Sequence, residues 1–141
     1  FAAKLGIAAP GPEDAALIAE LLDLMHKGQA DFTNTFRALS EGRARDQFTD
    51  PAAFDGWEPR WRARIAREDE PLALMRRSNP AFIPRNHRIE EAITAAVTGD
   101  YGPFERLNTV LSRPFEAQPD HADLMAAPTP GQVVQATFCG T

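Results

Sequence analysis

Cys139, the single cysteine, and three scattered histidines, His26, His87 and His121, are the side chains with the most chemistry to offer. A thiol works as a nucleophile or redox partner only when a neighbouring base or cation holds it as thiolate. Nothing in the sequence around residue 139 fixes such a neighbour, so the bare reading is an incidental terminal thiol, with a redox or pairing role as the alternative. Alone in the chain, Cys139 cannot close an internal disulfide, but it can pair with a thiol outside it. Asp120, His121 and Asp123 form the only close group of metal-ligating types; a structural metal needs about four converging ligands, and this stretch reads as an exposed polar surface. Nucleotide cradles need glycines that let backbone amides approach phosphate, and neither a Walker pattern nor a three-glycine turn occurs. Kinase-type chemistry needs a phosphate-pairing lysine on a strand, and the two lysines, Lys4 and Lys27, lack that context. The residues themselves therefore nominate no catalytic, cofactor-binding or metal position.

Two further groups are polar in suggestive places. Arg60, Arg62, Arg64 and Arg67 alternate with Trp57 and Trp61, which invites nucleic-acid stacking. Helical spacing instead predicts a buried aromatic face with a solvated basic flank, and Glu68, Asp69 and Glu70 cancel much of the charge. Arg85 and Asn86 stand before a strong helix, where a guanidinium and an amide can bond loop carbonyls and lock the entry; ligand binding is the alternative.

The net charge of −5 and pI near 5.2 oppose a phosphate-binding footprint, so no nucleic-acid partner is expected. No apolar run approaches the roughly 20 residues that cross a bilayer, and no membrane partner is expected. The chain begins at Phe1 rather than Met, which suggests a processed or truncated product, and a cytoplasmic setting is expected.

These residues are carried on helices. After Pro10, Gly11 and Pro12, the recurrence of Leu17, Ile18, Leu21, Leu22 and Met25 predicts a helix over 13–27. Asp31 is placed to cap a second, with Phe32, Phe36 and Leu39 inward and Gly42 closing it; 42–46 reads as an exposed connection. A third is expected over 51–67 on Phe54, Trp57, Trp61 and Ile65, with Pro59 forcing a kink or a late start near Glu58. Pro71 opens a short fourth through Leu72 and Met75, ending before Asn79 because the residue before Pro80 avoids helical angles. Residues 79–84 should be extended, with Phe82 and Ile83 free to enter the core. Ile89, Ala92, Ile93, Ala96 and Val97 form the cleanest stripe and predict a fifth helix ended by Gly99. Asp100 and Pro103 open a sixth, with Phe104, Leu107, Val110 and Leu111 inward, until Pro114. The expected architecture is all-α: a bundle of about six helices over 1–114, then an extended tail over 115–141. Val134, Ala136 and Phe138 alternate within that tail, as a short edge strand over 132–138 would.

The run Asn79-Pro80-Ala81-Phe82-Ile83-Pro84-Arg85-Asn86-His87 closely resembles a signature in the last third of selenoprotein O family proteins. Three supporting segments follow the family's order: Ala30-Asp31-Phe32-Thr33-Asn34-Thr35-Phe36-Arg37-Ala38-Leu39-Ser40, Gly99-Asp100-Tyr101 and Arg113-Pro114-Phe115. Phe138-Cys139-Gly140-Thr141 is similar to the family's terminal motif, in which cysteine or selenocysteine stands at the position of Cys139; the family's serines after it are replaced here by Gly140 and Thr141. Pro59 is a second departure, where relatives are expected to carry an uninterrupted helix.

The resemblance implies a C-terminal segment of a kinase-like protein adenylyltransferase, which moves AMP from ATP onto serine, threonine or tyrosine hydroxyls of proteins. ATP and Mg are implied for the full-length parent and not for this segment, because the family's glycine-rich loop, lysine, glutamate and metal-binding residues have no matching positions here. The implied partners are the kinase-like region of the parent chain and, through it, protein substrates; mitochondrial location is implied for eukaryotic relatives. The resemblance also favours a redox role for Cys139, a mobile thiol gating the kinase-like part. The competing expectation is a free-standing helical module that takes a partner helix against Phe54, Trp57 and Trp61.

Overall fold

The computed structural model describes residues 1–134, and these are all-helical with no strand. Cys139 and residues 135–138 of the expected edge strand lie outside the described residues. The chain divides into two compact units, Phe1–Pro80 and Ala81–Thr141.

The first unit contains a 3-10 turn, Ala2–Leu5, followed by helices α1 (Pro12–Lys27), α2 (Phe32–Leu39), α3 (Ala52–Ile65) and α4 (Pro71–Ser78), with a second 3-10 turn, Ala44–Gln47, between α2 and α3. Local chemistry explains most of these limits. Pro12 occupies the first turn of α1, where its missing N–H has no intrahelical acceptor to lose. The amide of Gly11 donates to the Asp14 carboxylate at 2.8 Å, so an acid also sits at the positive end of that helix. The Asp31 carboxylate accepts from the amide of Asn34 at 2.8 Å, the cap expected for α2.

Helix α3 corrects one expectation: it starts at Ala52 and runs unbroken through Pro59. A proline inside a helix removes one hydrogen bond and crowds the preceding turn, costing about 3 kcal/mol. Against this, Phe54, Trp57, Trp61 and Ile65 all reach the core from α3, each contributing about 1.5–3 kcal/mol. Burial prevails. The aromatic side chains form a ladder, with Phe48 to Phe54 at 4.9 Å, Phe54 to Trp57 at 5.7 Å and Trp57 to Trp61 at 5.6 Å between ring centroids. Both indoles spend their N–H groups on backbone carbonyls, Trp57 on Leu17 at 3.0 Å and Trp61 on Leu5 at 2.9 Å.

The start of the chain is also more structured than its composition implies. Leu5 and Ile7 are fully buried, and Gly6 between them adopts φ 82°, in the left-handed region open to glycine. A side chain at residue 6 would meet Pro71 of α4 at 3.0 Å, so the close approach of these segments needs glycine as well. The 42–46 connection likewise contains part of a 3-10 turn, with Ala44 buried against the core.

The second unit packs α5 (Asn86–Val97) with α6 (Gly102–Leu111). Its small core joins Ala81, Phe82, Val110 and Leu124, flanked by Leu107, Leu111 and Met125. Phe82 enters this core as expected, whereas Ile83 is only half-buried. Part of the expected tail is not extended: Pro119–Met125 winds into a 3-10 helix that buries Leu124. The regular stripe of α5 is open in part, with Ile93 51% and Val97 82% exposed while Ala92 is buried and Ile89 and Ala96 are half-buried, and Phe104 of α6 is 56% exposed.

Candidate functional site

The signature over 79–87 crosses the division between the two units, and its halves make different contacts. In the first unit Asn79 is 1% exposed and every polar atom of it is used. Its side-chain amide donates to the carbonyl of Lys4 at 2.8 Å, and its side-chain oxygen accepts from Lys4 Nζ at 3.3 Å. Its backbone amide donates to Met75 at 2.9 Å, and its carbonyl accepts from the buried Arg37 at 3.3 Å. Lys4 Nζ also donates to the carbonyl of Ser78 at 3.0 Å, and burial lowers the pKa of its ammonium. Asn79 therefore ties the first turn of the chain, α2 and the end of α4 together. It does so directly after α4, where Pro80 disfavours further helix. Two segments of the family resemblance, 30–40 and 79–80, meet through the Arg37 contact.

An exchange of Asn79 for alanine would strand the Lys4 carbonyl and leave Lys4 Nζ short of an acceptor. Leaving buried polar groups unpaired costs about 1–3 kcal/mol. We expect Asn79→Ala to lower the urea midpoint of the first unit by an amount corresponding to about 2 kcal/mol; an unchanged midpoint would show that the clamp contributes nothing.

In the second unit the amides of Ala81 and Phe82 both donate to the carbonyl of Pro114, at 2.8 and 3.1 Å. That joins the signature to the 113–115 segment. Arg85 is buried and caps α5 with its backbone: its carbonyl accepts from Arg88 and Ile89, each at 3.0 Å, and its amide donates to Ile83 at 2.9 Å. Asn86, by contrast, is exposed at the first position of α5. Within the second unit the signature thus places Arg85 inside and Asn86 at the surface.

Sequence reasoning set His87 aside as a metal ligand because it stands far from His26 and His121. It is 5% exposed, its Nε2 has no hydrogen-bond partner, and burial, then the nearby Arg88, lowers its pKa. A lone histidine on a helix gives no sequence signal of such isolation.

The other candidates are structural. His121 Nδ1 accepts from Arg106 Nε at 3.1 Å, and the Asp123 carboxylate takes the two terminal guanidinium nitrogens of Arg106 at 2.9 and 2.5 Å. The Arg106 guanidinium holds the Asp123 carboxyl below the usual carboxylate range. His121 and Asp123 are thus committed to an arginine, while Asp120 is exposed. Phe54, Trp57 and Trp61 are each at most 1% exposed, which corrects the expectation that their stripe receives a partner helix: it is the unit's own core.

Three arginines of the basic flank are likewise paired. Arg60 binds Glu20, Arg62 binds Glu58, and Arg64 donates to Asp14 at 2.8 and 3.0 Å, to Glu68 at 2.7 Å and to the carbonyl of Ala9 at 3.2 Å. Arg64 is not solvated as the spacing had implied, because its side chain is only 13% exposed and Asp14 only 1%. This node is a second feature the sequence did not reveal. Its one legible part is the i, i+4 spacing of Arg64 and Glu68.

Among the described residues no three histidine, cysteine or acidic side chains converge as a metal would require. The glycines with positive φ serve packing or turns: Gly6 touches Pro71, and Gly42 and Gly99 stand in open space.

No protein-family model matches the chain. Individual proteins do match it. It is 64% identical over 141 residues to the protein nucleotidyltransferase YdiU of Ruegeria pomeroyi, covering all of this chain and 30% of that protein. The namesake of Ruegeria sp. (strain TM1040) is 60% identical with the same coverage. That of Roseobacter denitrificans is 54% identical over 98% of this chain and 29% of its own length. The chain thus spans about 30% of the length of these relatives, at their C-terminal end. With the signature over 79–87 and its supporting segments in place, the chain belongs to the selenoprotein O family of YdiU protein nucleotidyltransferases, as its C-terminal segment.

Proposed function

We propose that this segment is the helical brace of a protein adenylyltransferase, in which a kinase-like region elsewhere in the polypeptide moves AMP from ATP onto serine, threonine or tyrosine hydroxyls of proteins. The observation that carries the reading is the match along the whole chain to proteins named nucleotidyltransferases, on only 30% of their length. The use of polar groups supports it: Asn79, Arg37 and Lys4 hold backbone to backbone, and a brace needs rigidity rather than reacting groups. ATP and Mg belong to the remainder of the parent, which is the segment's first partner; protein substrates are reached through it. The setting is the cytoplasm, where ATP and hydroxyl-bearing proteins meet. No described helix is long and apolar enough to cross a membrane.

Redox gating is the finer part of the proposal. A low-molecular-weight disulfide such as oxidised glutathione can exchange with Cys139 to leave a mixed disulfide and release one thiol, and a thiol of the kinase-like region can then displace the second, joining the two segments and coupling transfer to the redox state.

The test joins this chain to the N-terminal part of the Ruegeria pomeroyi relative and follows AMP incorporation from labelled ATP and Mg into a protein acceptor. We expect transfer by the joined protein and none by the 141-residue chain. Transfer by the short chain alone would overturn the brace. For the redox part, reductant should change the rate at least several-fold in the Cys139 protein and leave Cys139→Ser unaffected; equal responses would remove it.

A further inference from the structure

Within the second unit, α5 and α6 enclose a groove of about 390 Å³ that no charged side chain lines. Its walls are Ile89, Ile93, Ala96, Tyr101, Phe104 and Leu107, and Asn108 is its one amide. The α5 stripe has the period of a helix buried along one face. Yet Ile93 is 51%, Val97 82%, Tyr101 59% and Phe104 56% exposed. A pattern that specifies burial, on residues that remain open, marks a core whose other half is supplied from outside the unit.

We infer that this groove is the docking site for an apolar segment of the N-terminal region of the same polypeptide, an inference that rests on the reading of this chain as one part of a longer enzyme. The choice of occupant follows from the relatives, in which about 70% of the chain length lies outside the matched segment. A tethered segment meets the groove at an effective concentration of about millimolar. A second copy, which lacks that tether, competes poorly with it whenever the protein is well below millimolar. The absence of charge among the lining residues sets the chemistry of the occupant: aliphatic or aromatic side chains from a helix or loop, without a buried charge that would go unpaired.

The experiment compares hydroxyl-radical labelling of Tyr101 and Phe104 in the 141-residue chain and in the joined protein described above. We expect labelling of both rings to fall at least fivefold on joining. In a second arm, the N-terminal part of the relative is titrated with the chain in trans, and Ile93→Asp should weaken binding at least tenfold. Because Ile93 is half-exposed, its replacement should leave the circular dichroism of the short chain unchanged, which separates lost docking from lost folding. Equal labelling in the two proteins, or binding indifferent to Ile93→Asp, would overturn the inference. So would low labelling in the short chain that rises on dilution, since a second copy would then be the occupant. AMP transfer is read separately: transfer without protection sinks the docking site alone, and protection without transfer sinks the proposed chemistry alone.

Discussion

Trp61→Ala is expected to remove about 4 kcal/mol from the stability of the first unit. Truncating a fully buried tryptophan costs about 3–5 kcal/mol, from lost transfer energy and from the cavity left behind. Trp61 is 1% exposed, stacks on Trp57 at 5.6 Å with 11° between planes, and donates to the carbonyl of Leu5 at 2.9 Å. The alanine variant loses all three contributions and also loosens the first turn of the chain. Domains of this size are stable by only about 5–15 kcal/mol, so the variant should be partly unfolded well below the parent's melting temperature. Urea unfolding followed by circular dichroism measures the loss. Trp61→Phe is the control: it keeps an aromatic ring but removes the N–H, and should cost less than half as much. If Trp61→Ala loses under 1 kcal/mol, the indole is not the keystone its burial implies.

Asp14→Ala should cost about 3 kcal/mol at neutral pH. Removing one member of a buried, hydrogen-bonded ion pair leaves the other charge uncompensated, and such changes typically cost about 3–5 kcal/mol; here the lower figure applies because Arg64 keeps Glu68. The pH dependence follows from the direction of the shift. The hydrogen bond from Arg64 holds the Asp14 carboxyl below its ordinary range, with further help from the Gly11 amide. A carboxyl acidified by folding adds stability that is complete above its unfolded pKa of about 3.9, and that is lost as the pH falls through that value toward the folded one. Glu68 is shifted in the same direction, by Arg64 first and the Ala8 amide next. The parent should therefore lose stability steeply below about pH 4, and Asp14→Asn less steeply, so that their urea midpoints converge between pH 5 and pH 3. Parallel midpoints across that interval would show that the pair does not govern acid unfolding.

These two sites differ in how far sequence anticipates them. The Trp57 and Trp61 face is visible as an i, i+4 pattern with Phe54 and Ile65, because helical spacing alone puts those side chains on one side. The Asp14 to Arg64 pair is not, since 50 residues separate its members and only the packing of α1 on α3 brings them together. Pro59 shows the opposite failure. A local rule predicts a break, and the collective burial of four large side chains overrides it.

The candidate site divides in the same way. The sequence alone determines the all-helical class, the Asp31 cap of α2, the opening of α4 at Pro71, the end of α4 before Asn79, and the family to which the signature over 79–87 points, because these depend on residues within a turn or two of each other. Only the tertiary structure decides that Asn79 clamps Lys4 and Arg37, that Pro114 receives two amides from Ala81 and Phe82, that His87 is buried with a bare nitrogen, and that the most regular stripe in the chain lies partly open on α5. Period specifies which face of a helix is apolar. What covers that face is set by contacts between distant segments, and on α5 the Ile93 and Val97 side chains remain exposed.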